Sequence, residues 1–282
     1  MSPRNKLVVL IAFIIILFTP QLISGLHNYQ RQQAADLIPE TASPGGSVEI
    51  VAVQPPELIK TPVPPGQAIS IPILMYHEIA TGPDCLWVST PDFYEQMKYL
   101  NDNGYQTITL SQAVELLSGH YDTSRKVVLT FDDGYDTFYT NAWPILQEFN
   151  QQATIFIISE LVGKPGYMSW EQIKVLADNN IEIGGHTKTH PLLPTLTPAQ
   201  SAEEISGAKQ AMDTRLGLTT TMFCYPTGQY NREIEQQVKT AGYKAAVTMV
   251  QRRASSKDDL LLLPRWGIYK GDSLEQFAVL VK

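Results

Sequence analysis

Eight short runs rich in Val, Ile, Thr and aromatic residues alternate with helical stretches, and that alternation limits what this chain can fold into. The runs are 71–76, 105–110, 126–131, 153–158, 181–185, 221–225, 244–249 and 263–268. All are short, apolar and rich in β-forming residues, so the pattern predicts parallel strands buried on both faces. The intervening helices carry their own start signals. Ser169, Thr197 and Ser273 are each followed three residues later by Gln172, Gln200 and Gln276, the spacing of a capping box. Thr90-Pro91 and Thr197-Pro198 put a capping residue before a proline suited to the first turn. Phe93, Met97 and Leu100, and likewise Ile173, Leu176 and Ala177, recur on one helix face and read as core. Seven or eight strand-helix units in this length predict a (β/α) barrel, with a doubly wound open sheet as the alternative; in either, chemistry belongs at the carboxyl ends of the strands.

The start of the chain reads differently. Arg4 and Lys6 precede an uncharged run from Leu7 to Phe18, closed by Pro20 and the small pair Ser24-Gly25. This is the pattern of an export signal over 1–25, either cleaved or kept as a membrane anchor. Residues 26–70 hold Pro44, Pro55-Pro56, Pro62 and Pro64-Pro65 among glutamines without periodicity, which predicts a disordered linker. Residues 71–282 then form one domain, placed outside the cytoplasm, secreted or membrane-held. With a net charge of −7 and no basic cluster beyond Arg252-Arg253, the chain has no electrostatic footprint for nucleic acid. Cys85 and Cys224 are the two cysteines; they are expected to be free rather than paired, and neither has the second nearby cysteine of a zinc-thiolate site.

The polar residues with chemistry fall at predicted strand ends. His77 follows Ile73 to Tyr76, Asp132-Asp133 follow Val127 to Phe131, His186 and His190 follow Ile181 to Gly185, Tyr225-Pro226-Thr227-Gly228 follow Thr221 to Cys224, and Arg265-Trp266 lie in the last run. Two of only five histidines stand four residues apart, a spacing that with one aspartate of the pair supplies the three protein ligands of a catalytic zinc. They do not lie inside a regular helix, because His190 precedes a proline, and Thr187 stands where a helical zinc protease needs glutamate. Two adjacent carboxylates can divide the labour between ligation and proton transfer.

Thr130-Phe131-Asp132-Asp133-Gly134, His186-x-x-x-His190 and Phe223-Cys224-Tyr225-Pro226-Thr227-Gly228 together resemble the polysaccharide deacetylases of the NodB-homology type, carbohydrate esterase family 4. Met168-Ser169-Trp170-Glu171-Gln172 and Leu263-Pro264-Arg265 are similar to the same family. The resemblance implies a distorted (β/α)7 barrel that removes N-acetyl groups from a GlcNAc-containing polysaccharide with a divalent metal, zinc above all. It implies Asp132 as general base, Asp133, His186 and His190 as metal ligands, and the Thr227 backbone N–H as an oxyanion donor; Tyr225, Thr227 and Trp266 are the expected substrate contacts. Two departures stand out: Cys224-Tyr225 occupy the place of the family's arginine, and no histidine follows His190. A subgroup resembling the deacetylases of poly-N-acetylglucosamine carries its acid histidine before the first motif, as in Tyr76-His77, which makes His77 the expected acid. Arg265 is expected to replace the missing arginine and pair with Asp132. O-deacetylation of a polymer such as xylan, or glycan binding without catalysis, are the rival readings.

Overall fold

The structure is a computed structural model and describes residues 57–64 and 66–282. The expected apolar segment and the linker up to residue 56 lie outside the described residues. Eight parallel strands form the main sheet: β1 (Ile73–Tyr76), β2 (Gln106–Ile108), β3 (Lys126–Phe131), β4 (Thr154–Ile157), β5 (Glu182–Gly185), β6 (Met222–Cys224), β7 (Ala245–Val247) and β8 (Trp266–Gly267). Their spatial order is β7-β6-β5-β4-β3-β1-β8, with β2 also paired to β3. Strands β2 and β4 share one edge of β3, β2 along Lys126 to Val128 and β4 along Thr130 and Phe131. The sheet curls, and the segment from Leu263 to Gly267 touches both of its ends: Leu263 bridges to Val247 of β7, while Trp266 and Gly267 pair with Leu74 and Met75 of β1. This explains why the last strand is shorter than the predicted 263–268. Leu263 to Arg265 serve one neighbour and Trp266 onwards the other.

Strand alternation sorts side chains into two layers. Ile73, Val128, Phe156, Met222, Cys224, Val247 and Leu263 pack together inside the curl. Leu74, Tyr76, Leu129, Phe131, Ile155 and Ile183 face outward against Phe93, Met97 and Leu100 of α1 (Thr90–Asp102) and Ile173 and Leu176 of a later helix (Trp170–Asp178). Phe223 and Tyr225 join a third cluster with Ile205, Ile234 and Val238. The capping boxes at Ser169, Thr197 and Ser273 are all formed, and Thr109 with Gln112 makes a fourth that the sequence reading omitted. At α1 the cap is Ser89 instead of Thr90: its side chain accepts from the Asp92 N–H, and Pro91 sits inside the first turn.

The packed region also begins earlier than residue 71. Ser70 and Ile71 pair antiparallel with Ser255 and Ala254, Pro62 bridges to Tyr121, and Leu58 and Val63 lie against the inner cluster. Proline content alone predicted linker here; tertiary burial of Val63 and Ile69 overrides it. Both cysteines are free, Cys85 exposed and Cys224 buried. Among the described residues no helix is long and apolar enough to cross a membrane.

Candidate metal and hydrolytic site

The carboxyl ends of β1, β3, β5 and β6 and the segment before β8 converge on one cluster. Parity delivers most of it. His77 continues the inward positions Ile73 and Met75, Asp132 continues Val128 and Thr130, and His186 continues Gly184. Cys224 is inward like Met222, and Arg265 like Leu263. Asp133 would then point outward, but its φ of +74° turns the chain. Thr187 and His190 are also left-handed, at φ +65° and +63°. Non-glycine residues in this region cost of order 1–3 kcal/mol each and persist where surroundings hold them. Here the holding groups are visible. The His190 N–H donates to Thr187 Oγ1 at 3.0 Å, and Glu204 accepts from the N–H groups of Lys188 and Thr189, both at 2.9 Å, and from Thr189 Oγ1 at 2.8 Å.

Asp133 Oδ1 lies 3.4 Å from His186 Nε2 and 3.7 Å from His190 Nε2. All three ligand atoms fall within 4.8 Å of one another. A tetrahedral ion with bonds near 2.1 Å needs donors about 3.4 Å apart, so the set fits a metal with little rearrangement. His186 Nδ1 lies 2.8 Å from the Cys224 carbonyl, which can only accept, so Nδ1 carries a proton and Nε2 is the ring atom a metal would take. Burial opposes the imidazolium, yet Cys224 and the Asp133 and Asp132 carboxylates raise the His186 pKa well above its ordinary value, so a metal would displace the Nε2 proton. Burial and the neighbouring His186 push the His190 pKa down, favouring the neutral imidazole a metal requires. Burial opposes ionisation of Asp133, yet His186 holds its carboxyl below the ordinary value.

Beside this set lies a second, fully satisfied ion pair. Arg265 is 0% exposed, and each of its N–H donors has an acceptor. Nη1 donates to Asp132 Oδ1 at 2.7 Å and to Thr130 Oγ1 at 3.0 Å; Nη2 donates to Asp132 Oδ2 at 2.8 Å and to Cys224 Sγ at 3.3 Å; Nε donates to the Thr248 carbonyl at 3.0 Å. Burial alone would raise the Asp132 pKa, but the Arg265 guanidinium overrides it and holds the carboxyl far below the usual carboxylate range. His77 Nε2 stands 3.9 Å from Asp132 Oδ2. Cys224 Sγ is 3.5 Å from the same oxygen, and burial pushes its thiol pKa up, so it remains a neutral donor and acceptor.

The structure thus brings His77, Asp132, Asp133, His186, His190 and Arg265 together. Expected substrate contacts fare differently. The Tyr225 side chain is fully buried on the outward face, in the cluster with Phe223 and Ile234, so it offers no ring to a ligand. Trp266 is outward too, half-buried against the outer core and opposite in parity to Arg265. Strand alternation from Cys224 and Arg265 carried this information. Thr227 is exposed at the rim with φ +55°, its Oγ1 bonded to the Pro226 carbonyl at 2.7 Å. Four neighbours of the cluster were missed by the sequence reading: Thr130, Cys224 and Thr248 around Arg265, and Tyr135, stacked on Tyr167 at 5.1 Å, whose hydroxyl pKa is raised by burial and by the Asp133 carboxylate. Thr130 and Cys224 stood inside the quoted motifs at inward positions, and Tyr135 directly follows the Asp-Asp-Gly turn, so these three had a local signal.

Known proteins resemble this chain over the same region. The profile of the family described as polysaccharide deacetylase matches residues 120–246. YxkH of Bacillus subtilis (strain 168), designated a polysaccharide deacetylase by inference, is 37% identical over 213 residues, covering 75% of this chain and 76% of that protein. The poly-beta-1,6-N-acetyl-D-glucosamine N-deacetylase of Escherichia coli (strain K12) is 28% identical across 68% of this chain, which spans 35% of the length of that enzyme. Among solved structures, the Streptococcus pyogenes deacetylase PplD in complex with acetate superposes with a TM-score of 0.72 at 29% identity, covering 77% of this chain and all of PplD. The first motif and the histidine pair fall within the matched residues, and on the identity and coverage of YxkH the chain belongs to the polysaccharide deacetylase family of the NodB-homology type.

Proposed function

We propose that this chain is a metal-dependent hydrolase that removes N-acetyl groups from GlcNAc units of an extracytoplasmic polysaccharide. The observation that carries the reading is the division of labour in one mouth. Three ligands, Asp133, His186 and His190, sit beside a separate carboxylate, Asp132, that a buried arginine keeps ionised 3.9 Å from His77. A divalent metal held by Asp133, His186 and His190, with zinc suited to a donor set of two imidazoles and one carboxylate, supplies Lewis-acid activation of water and of the acetamide carbonyl.

The chain's own residues do the rest. Asp132, fixed by both nitrogens of the Arg265 fork, accepts the proton of the attacking water. His77 donates a proton to the amide nitrogen as the C–N bond breaks, releasing acetate and the free amine. The Thr227 backbone N–H, directly after Pro226, would donate to the carbonyl oxygen as negative charge develops there. Residues 1–25 would direct export, by cleavage or as an anchor, with 26–56 as tether and the packed domain beyond. The relative named for poly-beta-1,6-N-acetyl-D-glucosamine makes β-1,6-linked GlcNAc oligomers the first substrate to try.

Acetate release from such oligomers, compared with acetylated xylan, tests the reading. Turnover of the amide that disappears with chelator and returns with zinc is the expected result. Release from xylan alone would replace the amidase by an O-acetyl esterase, and release from neither would leave a glycan-binding module. His77→Ala separates acid catalysis from packing: amide hydrolysis should fall roughly 10²- to 10⁴-fold, while an activated aryl acetate, whose leaving group needs no proton, loses far less. Equal losses on both substrates would remove His77 from the acid role.

A further inference from the structure

At the opposite end of the sheet from the proposed catalytic mouth, a cavity of about 580 Å³ is lined by Arg125, Lys126, Arg253 and Lys282. Its position follows from the strand directions: Lys126 opens β3, and Ser70 and Tyr105 precede β1 and β2. These cations come from three distant stretches of sequence. They converge in a protein whose net charge is −7.

Among the described residues, Arg125, Lys126 and Arg253 make no direct ion pair with a carboxylate within 4.0 Å. Arg253 is half-buried, and its guanidinium is aimed by neutral acceptors: Nε donates to Ser70 Oγ at 3.2 Å, Nη2 to the Ser70 carbonyl at 3.3 Å, and Nη1 to the Leu280 carbonyl at 3.5 Å. Arg125 is fixed over the Tyr105 ring at 4.9 Å and donates to the Asn103 carbonyl at 3.3 Å. The one acidic side chain in the wall, Asp122, is turned to Ser124, accepting from its N–H at 2.9 Å and its hydroxyl at 2.6 Å. A partly buried cation is normally paired. Two pre-oriented guanidinium groups, beside a Lys126 whose charge also acts on Asp122, match the geometry and charge of a phosphate group better than a single carboxylate.

We propose that this cavity binds a phosphate-bearing ligand, either a lipid headgroup or a soluble phosphate ester, at the end of the domain away from the hydrolytic site. Docking there leaves the metal cluster open to a polymer. The ligand therefore acts as an attachment point and does not compete with substrate.

The test titrates the full chain with inorganic phosphate at constant ionic strength, by calorimetry or phosphorus NMR, in the parent, in Arg253→Gln and in the double variant Arg125→Gln/Lys126→Gln. Saturable binding is expected in the parent, weakened about tenfold or more in each variant, the worth of one charge-assisted hydrogen bond. Thermal melting of all three proteins accompanies the titration, so that loss of binding in a variant that melts like the parent is read as loss of the site. Two competitors separate the sources. Displacement of phosphate by phosphatidylglycerol vesicles and not by phosphatidylcholine vesicles assigns a lipid headgroup, whereas displacement by glycerol 3-phosphate alone assigns a soluble ester. No saturable binding below about 10 mM, where affinity is under roughly 3 kcal/mol, or equal affinity in the parent and both variants, would overturn the proposal.

Discussion

The Arg265–Asp132 pair should dominate the response of this domain to mutation, and a double-mutant cycle can measure by how much. Arg265 is fully buried, Asp132 is 4% exposed, and the two share two hydrogen bonds of 2.7 and 2.8 Å. Arg265→Met leaves a buried carboxylate whose remaining polar neighbours are Cys224 Sγ at 3.5 Å and His77 at 3.9 Å. Asp132→Asn leaves a buried guanidinium. Breaking a buried pair from one side costs about 3–5 kcal/mol. At about 2–4 °C per kcal/mol for a domain of this size, each single variant should melt about 6–20 °C lower. If the two residues were independent, the double variant would lose the sum, about 6–10 kcal/mol. Because neutral groups of similar volume then face each other, we expect it to lose far less, with a coupling of at least about 2 kcal/mol. The assay is urea unfolding in the presence of a chelator, since metal bound to the native state would add its own stabilisation. Costs that add within about 0.5 kcal/mol would refute the reasoning, because they would mean that the pair is solvated or that Thr130, Thr248 and Cys224 satisfy the arginine without Asp132.

Asp133→Ala, His186→Ala and His190→Ala should each lower bound zinc and abolish deacetylation, while Asp132→Asn keeps the metal and loses turnover; zinc measured by atomic absorption checks this, and unchanged stoichiometry in all three ligand variants would dismiss the site. Cys224→Ala removes the acceptor of an Arg265 N–H and should cost about 1–3 kcal/mol, whereas Cys224→Ser keeps an acceptor and should recover most of it; equal stability of the two variants in urea would argue against that contact. The half-buried Glu182 accepts from the Ser111 N–H at 3.2 Å and Thr154 Oγ1 at 2.8 Å, and desolvation of its carboxyl outweighs these bonds to raise its pKa. The native state then holds this proton more tightly than the unfolded chain does, so the carboxyl's contribution is intact at low pH and lost as pH rises through the native pKa. Glu182→Gln, which cannot ionise, should therefore melt higher relative to the parent at pH 7 than at pH 4, and an unchanged or reversed difference would contradict the raised pKa. Gly228→Val should lower both stability and activity, because φ is +69° there and an added Cβ would stand 2.8 Å from the Met249 backbone nitrogen; an unperturbed melting temperature would show that this loop yields.

Much of the site was legible before any coordinates. The Thr-Phe-Asp-Asp-Gly and His-x-x-x-His strings are local, and each follows an apolar run, so both their chemistry and their place at strand ends could be read from spacing. The capping boxes at Ser169, Thr197 and Ser273 are equally local, which is why they survive into the structure. Tyr225 and Trp266 were placed at the site because they neighbour motif residues in sequence; successive strand residues face opposite ways, and that period-two rule sends both side chains outward. Strand ends shrank by a residue or two because pairing, not propensity, decides where a strand stops.

What the sequence determined by itself was therefore the alternation of buried strands and capped helices, the inventory of metal-ligating and titratable side chains, and their position along the chain. Only the tertiary structure decided which of them meet. Arg265 reaches Asp132 across 133 positions because the segment from Leu263 to Gly267 bridges the two ends of the curled sheet. Cys224, expected as a free cysteine standing where the family has an arginine, becomes a neighbour of that pair, and its carbonyl faces His186 Nδ1. Arg125, Lys126 and Arg253 gather in one cavity in the same way. Contacts of this kind depend on sheet curvature and strand order, which are set by the sum of many packing interactions, and no local window of sequence holds that sum.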